Sequence, residues 1–209
     1  MKIAVESLNG IIVGPGEYFS FCRLVGRPTA ERGFVEGMEL SFGEARRGIG
    51  GGICQLSNLI HWMALHSPLR VTARANHSFD PFPDDNRVLP FGSGAAIFYN
   101  FIDLELYNPT KDSFQMVCLV GEKQLEGLLL CSAEPSVRYH VYQKAHRFVR
   151  EGTDVWRENE IWRDTITKGH NPQVLASEKL YSNRVIVKYP VEDESMEPGG
   201  GWRQSRGPV

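Results

Sequence analysis

The sequence predicts an α+β fold: a Gly-rich loop and central helix packed on a mostly antiparallel sheet, with a small β-rich C-terminal part. Three observations predict it. The run Gly48-Ile-Gly-Gly-Gly-Ile-Cys54 opens onto an amphipathic stretch that stops at Ser67-Pro68. Short apolar segments punctuated by Gly, Pro and Asn lie on either side of it. From about Val137 aromatics alternate with arginines, as in Arg138-Tyr-His-Val-Tyr142 and Arg147-Phe-Val-Arg150. The expected divisions are a core over residues 1–110, a β-rich extension over 111–191 and a disordered tail over 192–209.

Taken in order, Ile3 to Asn9 reads as the end of a helix closed by Asn9-Gly10, and Ile11-Ile-Val13 as a short strand. Tyr18 to Cys22 reads as a strand with Phe19 and Phe21 on one face. Arg27 to Gly33 is a polar loop or short helical turn, and Phe34 to Phe42 is extended. Between Cys54 and His66, residues Ile53, Leu56, Ile60, Met63 and Ala64 recur at three- and four-residue steps and make one buried stripe. Cys54, Ser57, Asn58 and His61 fall on the opposite stripe. Arg70 to His77 alternates as a strand, with Val71, Ala73, Ala75 and His77 on one face. Residues 95–100 and 101–107 read as a strand pair, and Phe114–Val120 with Leu125–Ser132 as a hairpin.

Composition narrows the function classes. Hydrophobic residues are 42% and charged residues 23% of 209, as in a globular core. The net charge of −2 and the absence of a basic block argue against nucleic acid as a partner. No apolar run reaches membrane-span length and no export signal is legible. The location expected from the sequence as it stands is cytoplasmic, with cell-envelope association if a segment precedes Met1. Cysteines 22, 54, 118 and 131 form no CxxC pair, so free thiols are expected, with a Cys118–Cys131 bridge as the oxidised alternative.

A cysteine in the first turn of a helix has its thiolate stabilised by the helix dipole. The helix of Cys54 and the strand of His77 are joined by a tight turn, so the strand returns toward the helix start. The expected catalytic pair is therefore Cys54 as nucleophile and His77 as base, with Asp80, Asp103 or Asn100 orienting the imidazole. Glu31, between Thr29 and Arg32, is a candidate general acid/base that the arginine would hold ionised. The amides of Gly50, Gly51, Gly52 and Ile53 are candidates for binding an anionic terminus. A zinc site from Cys54, His61 and His77 lacks a fourth ligand, so neither metal nor cofactor is expected. Trp156, Trp162, Tyr139 and Tyr142 read as cross-strand packing in preference to a sugar platform.

Several ordered stretches together resemble the VanW family, named from vancomycin-resistance gene clusters. They are Leu8-Asn-Gly-Ile-Ile-Val-Gly-Pro-Gly-Glu-Tyr-Phe-Ser-Phe21, Val25-Gly-Arg-Pro-Thr-Ala-Glu-Arg-Gly-Phe-Val-Glu-Gly37, Gly48 to Leu59, and Asn76-His-Ser-Phe-Asp-Pro-Phe-Pro-Asp84. The resemblance implies an accessory protein of glycopeptide resistance whose partner is peptidoglycan or its precursors. The family's shared polar positions fall here on Glu31, Arg32, Cys54, Gln55, Ser57 and His77. With Asp80, they complete the candidate catalytic and substrate-binding set. Two functions stay open: an enzyme using Cys54 for acyl transfer or Glu31 for glycan cleavage, and a non-catalytic muropeptide-binding module.

Overall fold

A computed structural model describes residues 1–41, 44–77, 79–81, 83–84, 89–192 and 196–198. In chain order these form α1 (Lys2–Leu8), β1 (Ile12–Val13), β2 (Tyr18–Ser20), α2 (Phe21–Val25), a 3-10 turn (Ala30–Arg32), β3 (Glu36–Ser41), β4 (Glu44–Ile49) and α3 (Cys54–Leu65). They continue with β5 (Arg70–Ala73), β6 (Phe79–Asp80), β7 (Glu105–Tyr107), β8 (Phe114–Val120), β9 (Leu125–Cys131), β10 (Val137–Glu151), β11 (Asp154–Thr167), β12 (Val174–Val187) and β13 (Met196–Pro198). The class is α+β. The sheets run β1-β8-β9, β2-β7-β5, β3-β4 and β13-β10-β11-β12-β6. Pairing is antiparallel except at β10–β13 and β12–β6.

Residues Met196–Pro198, expected in the tail, pair with Phe148–Arg150. Residues 193–195 and 199–209 of that expected tail, and Phe42 of the expected extended stretch, lie outside the described residues. Tyr18 to Cys22 is only half strand. The carboxylate of Asp103, distant in sequence, accepts the Cys22 N–H at 2.8 Å, and Ser20 Oγ accepts from Arg23 N at 3.1 Å. These two caps turn the chain into α2 at Phe21. All four cysteines are free thiols; Cys118 pairs with Gly127 and Cys131 with Phe114 across the hairpin, so the Cys118–Cys131 bridge is not formed.

The main core gathers Leu8, Phe19, Phe21, Leu56, Ile60, Leu104, Leu106 and Met116. Helix α3 lies directly on β9: a Cβ on Gly127 would sit 2.7 Å from Met63 Sδ, so glycine there sets the helix–sheet distance. The polar stripe of α3 is also covered. Cys54 Sγ donates to Ile97 O at 3.8 Å, Ser57 Oγ to Ala95 O at 2.7 Å, and His61 Nδ1 to Ser93 O at 2.7 Å. Asn58 Oδ1 accepts the Ala95 N–H at 2.7 Å. Side chains at successive helical turns thus satisfy the backbone of an extended segment that pairs with no full strand.

The C-terminal sheet is joined to the core by buried polar groups. Asn76 Nδ2 donates to Asn183 Oδ1 (2.6 Å), Asn183 Nδ2 to Asn159 Oδ1 (2.7 Å), and Asn159 Nδ2 to Phe91 O (2.8 Å). Gly92, at φ 73°, leaves the room that the Asn183 amide occupies. Beside it Arg157 on β11 is 1% exposed. Its Nη1 donates at 2.9 Å to both Asp80 and Asp84, its Nε donates at 2.9 Å to His146, and its plane lies 4.3 Å from the Phe91 ring. A second apolar cluster of Leu65, Val141 and Ile161 lies between α3 and this sheet.

Two outcomes follow from these buried groups. Asp80→Ala strands the Arg157 guanidinium with part of its compensation gone, and urea unfolding should show a loss of about 3 kcal/mol or more. His61 has Nδ1 against a carbonyl, so that nitrogen carries the proton, and Nε2, which has no partner among the described residues, keeps a bare lone pair. Burial, and then the Arg74 charge, lower its pKa from 6.5 to about 3. Between those values the unfolded chain takes up a proton that the native chain refuses, so stability is lost as pH falls through that window. Going from pH 7 to 5 should cost about 2 kcal/mol through this group. His61→Asn, which keeps a donor toward Ser93 O, should flatten that part of the pH profile.

Candidate functional site

A hollow of about 420 Å³ lies between the end of α2, the start of α3, the β3–β4 hairpin and the turn at residues 98–101. That turn is closed by Phe98 and Ile102, each N–H donating to the other's carbonyl at 2.9 and 2.8 Å. Asn100 adopts φ 66°, a left-handed conformation that asparagine tolerates. The Phe98 and Phe101 rings touch at a tilt of 33° with centroids 5.4 Å apart, and Phe101 is 80% exposed at the mouth. Ile49, Ile53, Ile97 and Pro28 add aliphatic wall, and Arg27 and Glu39 are its charged lining residues.

Two thiols line this hollow and hold the stems of the turn. Cys54 Sγ donates to Ile97 O, and Cys22 Sγ donates to Ile102 O at 3.5 Å. Burial pushes the Cys22 thiol up to about 12, helped by the Asp103 charge and hydrogen bond. Burial also raises Cys54, outweighing the stabilising hydrogen bonds at its site. The helix start therefore does not yield the activated thiolate expected from position alone.

His77 lines a separate hollow of about 280 Å³, with Asn58, Asn76, Asp80, Phe91 and Ser93. Cys54 is not among its walls, and no hydrogen bond joins the two. The expected thiol–imidazole pair is thus not brought together. Strand β5 ends at Ala73, with a register shift after Val71 that breaks the alternation carried forward to His77. Arg74 donates to the Gly92 and Gly94 carbonyls, fixing the chain on its new course. Burial lowers the pKa of His77. None of the three expected orienting groups reaches it by a hydrogen bond. Asp80 binds Arg157 and Tyr189 Oη, Asp103 caps α2, and Asn100 sits in the exposed turn.

The other candidates also have structural occupations. Glu31 is exposed, and its pKa is lowered, first by its own backbone N–H and then by Thr29, the wrong direction for a general acid. Arg32 does not pair with Glu31: it donates to Arg27 O at 2.6 Å and Val25 O at 2.8 Å, closing the end of α2. Gly50 N–H donates to Val35 O, Gly51 N–H to Gly48 O, and Ile53 N–H to Gly50 O, so three of the four expected anion donors are spent inside the loop. Gly51 and Gly37 touch backbone to backbone where neither has room for a Cβ, and Gly52 has φ 89°. Ser57 is wholly buried in the ladder to Ala95, and Gln55 is exposed. Trp162 lies under Lys144 at 4.1 Å, Trp156 under Arg184 at 4.6 Å and Tyr139 under Arg163 at 4.9 Å. These rings pack against cations and are not free platforms. Sequence reasoning missed Arg27, Phe98, Tyr99 and Phe101; the signal was an asparagine set among three aromatics, a turn that displays rings.

Among the described residues no cluster of His, Cys, Asp and Glu suits a metal ion, and no helix is long and apolar enough to cross a membrane. No solved structure matches the chain. The chain is 29% identical over 193 residues to "Vancomycin B-type resistance protein VanW" of Enterococcus faecalis, covering 92% of this chain and 70% of that protein. It is 30% identical over 78 residues to "Uncharacterized protein YoaR" of Bacillus subtilis, covering 37% of this chain and 26% of that protein. The family model described as "VanW like protein" matches residues 1–130, from α1 into the last residues of the β8–β9 hairpin, and on that match this chain belongs to the VanW-like family.

Proposed function

We propose that the protein is an accessory protein of glycopeptide (vancomycin) resistance that recognises peptidoglycan or its precursors as a binding module. The resistance role is supported by family membership and by the relative that carries that role in its name. Binding is favoured over covalent catalysis by one observation: Cys54 and His77 line different hollows, so the thiol lacks the imidazole base expected for it. The larger hollow offers instead aromatic and aliphatic walls with a few polar groups, the usual make-up of a small-ligand site. A thiol enzyme is the second reading, favoured by Cys54 facing that hollow.

Titration of the protein with disaccharide-pentapeptide and with lipid-linked precursor, followed by mass spectrometry, separates the two. Binding heat with unchanged ligand masses, retained in Cys54→Ser, is the expected result. A cleaved or transferred product that disappears in Cys54→Ala would install the enzyme reading, and the absence of both heat and product would remove the proposal. Because burial raises its pKa, Cys54 should react with iodoacetamide at pH 7 more slowly than a free thiol. Peptide mapping of the labelled sites measures this, and rapid selective labelling would count against the binding reading.

A further inference from the structure

We infer that the hollow beneath the Phe98–Phe101 turn takes a prenyl-diphosphate-type amphiphile, with its hydrocarbon chain against the aromatic turn and its anionic head on Arg27. The inference rests on the reading that the protein binds cell-wall precursors, and names which part of such a precursor it holds. Three features carry it.

The first is the wall. Ile49, Ile53, Ile97, Phe98 and Phe101 supply apolar surface, and the two thiols facing the space are uncharged at neutral pH. The polar lining, Arg27, Glu39, Tyr99 and Asn100, is a minority beside these apolar side chains, which favours a ligand with a hydrocarbon body. The second is the mouth. Phe101 is 80% exposed, Phe98 49% and Ile49 39%, so the apolar lining continues outward over the rim. A hydrocarbon chain longer than the hollow would continue across that rim, giving cover to side chains that water now meets.

The third feature is charge. Glu39 and Arg27 both line the hollow; Glu39 is ion-paired with Arg46 Nε at 2.6 Å, and its charge is still felt at Cys54. Arg27 is exposed and forms no ion pair within 4 Å among the described residues; Glu31 feels its charge only at longer range. One cation at the edge of an apolar chamber selects an anion joined to a hydrocarbon body, and a guanidinium forks well onto phosphate oxygens. Three of the four loop amides, those of Gly50, Gly51 and Ile53, are already spent on backbone carbonyls and do not compete for that head.

Calorimetric titration of the full chain tests this with farnesyl diphosphate, farnesol, inorganic pyrophosphate and water-soluble disaccharide-pentapeptide. Farnesyl diphosphate should bind, farnesol more weakly, and pyrophosphate below detection. Phe101→Ala, at an exposed position, should weaken farnesyl diphosphate about tenfold. Arg27→Ala should weaken it about tenfold while leaving farnesol unchanged. Thermal melts confirm that both variants fold. Pyrophosphate binding as tightly as farnesyl diphosphate, or indifference to both substitutions, overturns the inference. Binding of disaccharide-pentapeptide without farnesyl diphosphate also overturns it and leaves the precursor-binding reading standing. If none of the four probes binds, both readings fall.

Discussion

Backbone groups that no sheet pairs must find partners elsewhere, and much of this structure follows from where residues 93–97 find theirs. Ser57, Asn58 and His61 on α3 hold that segment through its own carbonyls and an N–H, and Cys54 adds a weaker thiol contact. Because the helix face is apolar on one side and hydrogen-bonding on the other, α3 is buried on both. Its apolar stripe meets the main core, and its polar stripe fixes the course of the chain into the aromatic turn. The larger hollow exists because those two attachments leave a gap at the helix start, which the β3–β4 hairpin roofs.

The same logic joins core to C-terminal sheet. The amides of Asn76, Asn183 and Asn159 answer one another in series, and Arg157 places its charge between two carboxylates and two aromatic rings. Buried polar groups of this kind specify position more than they add stability, since each must be matched to avoid a desolvation cost. They also explain why so many residues that looked chemically active are unavailable: Asp80, Ser57 and Arg32 are each engaged in holding one piece of chain to another.

Local pattern made a good part of the fold legible. The period-two alternation of Phe114–Val120 and of the arginine–aromatic stretches matches β8 and the long strands β10 and β11, and Asn9-Gly10 marks the end of α1. What escaped was set by groups distant in sequence. Ser20 is the local cap of Phe21–Val25, but the Asp103 carboxylate that completes the turn lies more than eighty residues away and leaves no local signal. The register shift after Val71 and the pull of Arg74 on the Gly92 and Gly94 carbonyls divert His77 from Cys54; straight-strand arithmetic from Arg70 cannot foresee either. Glycines 50 to 52 signalled a special backbone correctly, but the reason is contact with Gly37 and the internal turns of the loop.

The two thiols at the stems of the aromatic turn change how chemical modification of this protein has to be interpreted. A bulky adduct on Cys22 or Cys54 displaces a sulfur that now meets a carbonyl flanking the turn. Such a reagent pries the loop from its moorings whether or not sulfur takes part in any reaction. Inhibition by mercurials or maleimides would therefore report on the architecture of the entrance, and would not by itself identify a nucleophile.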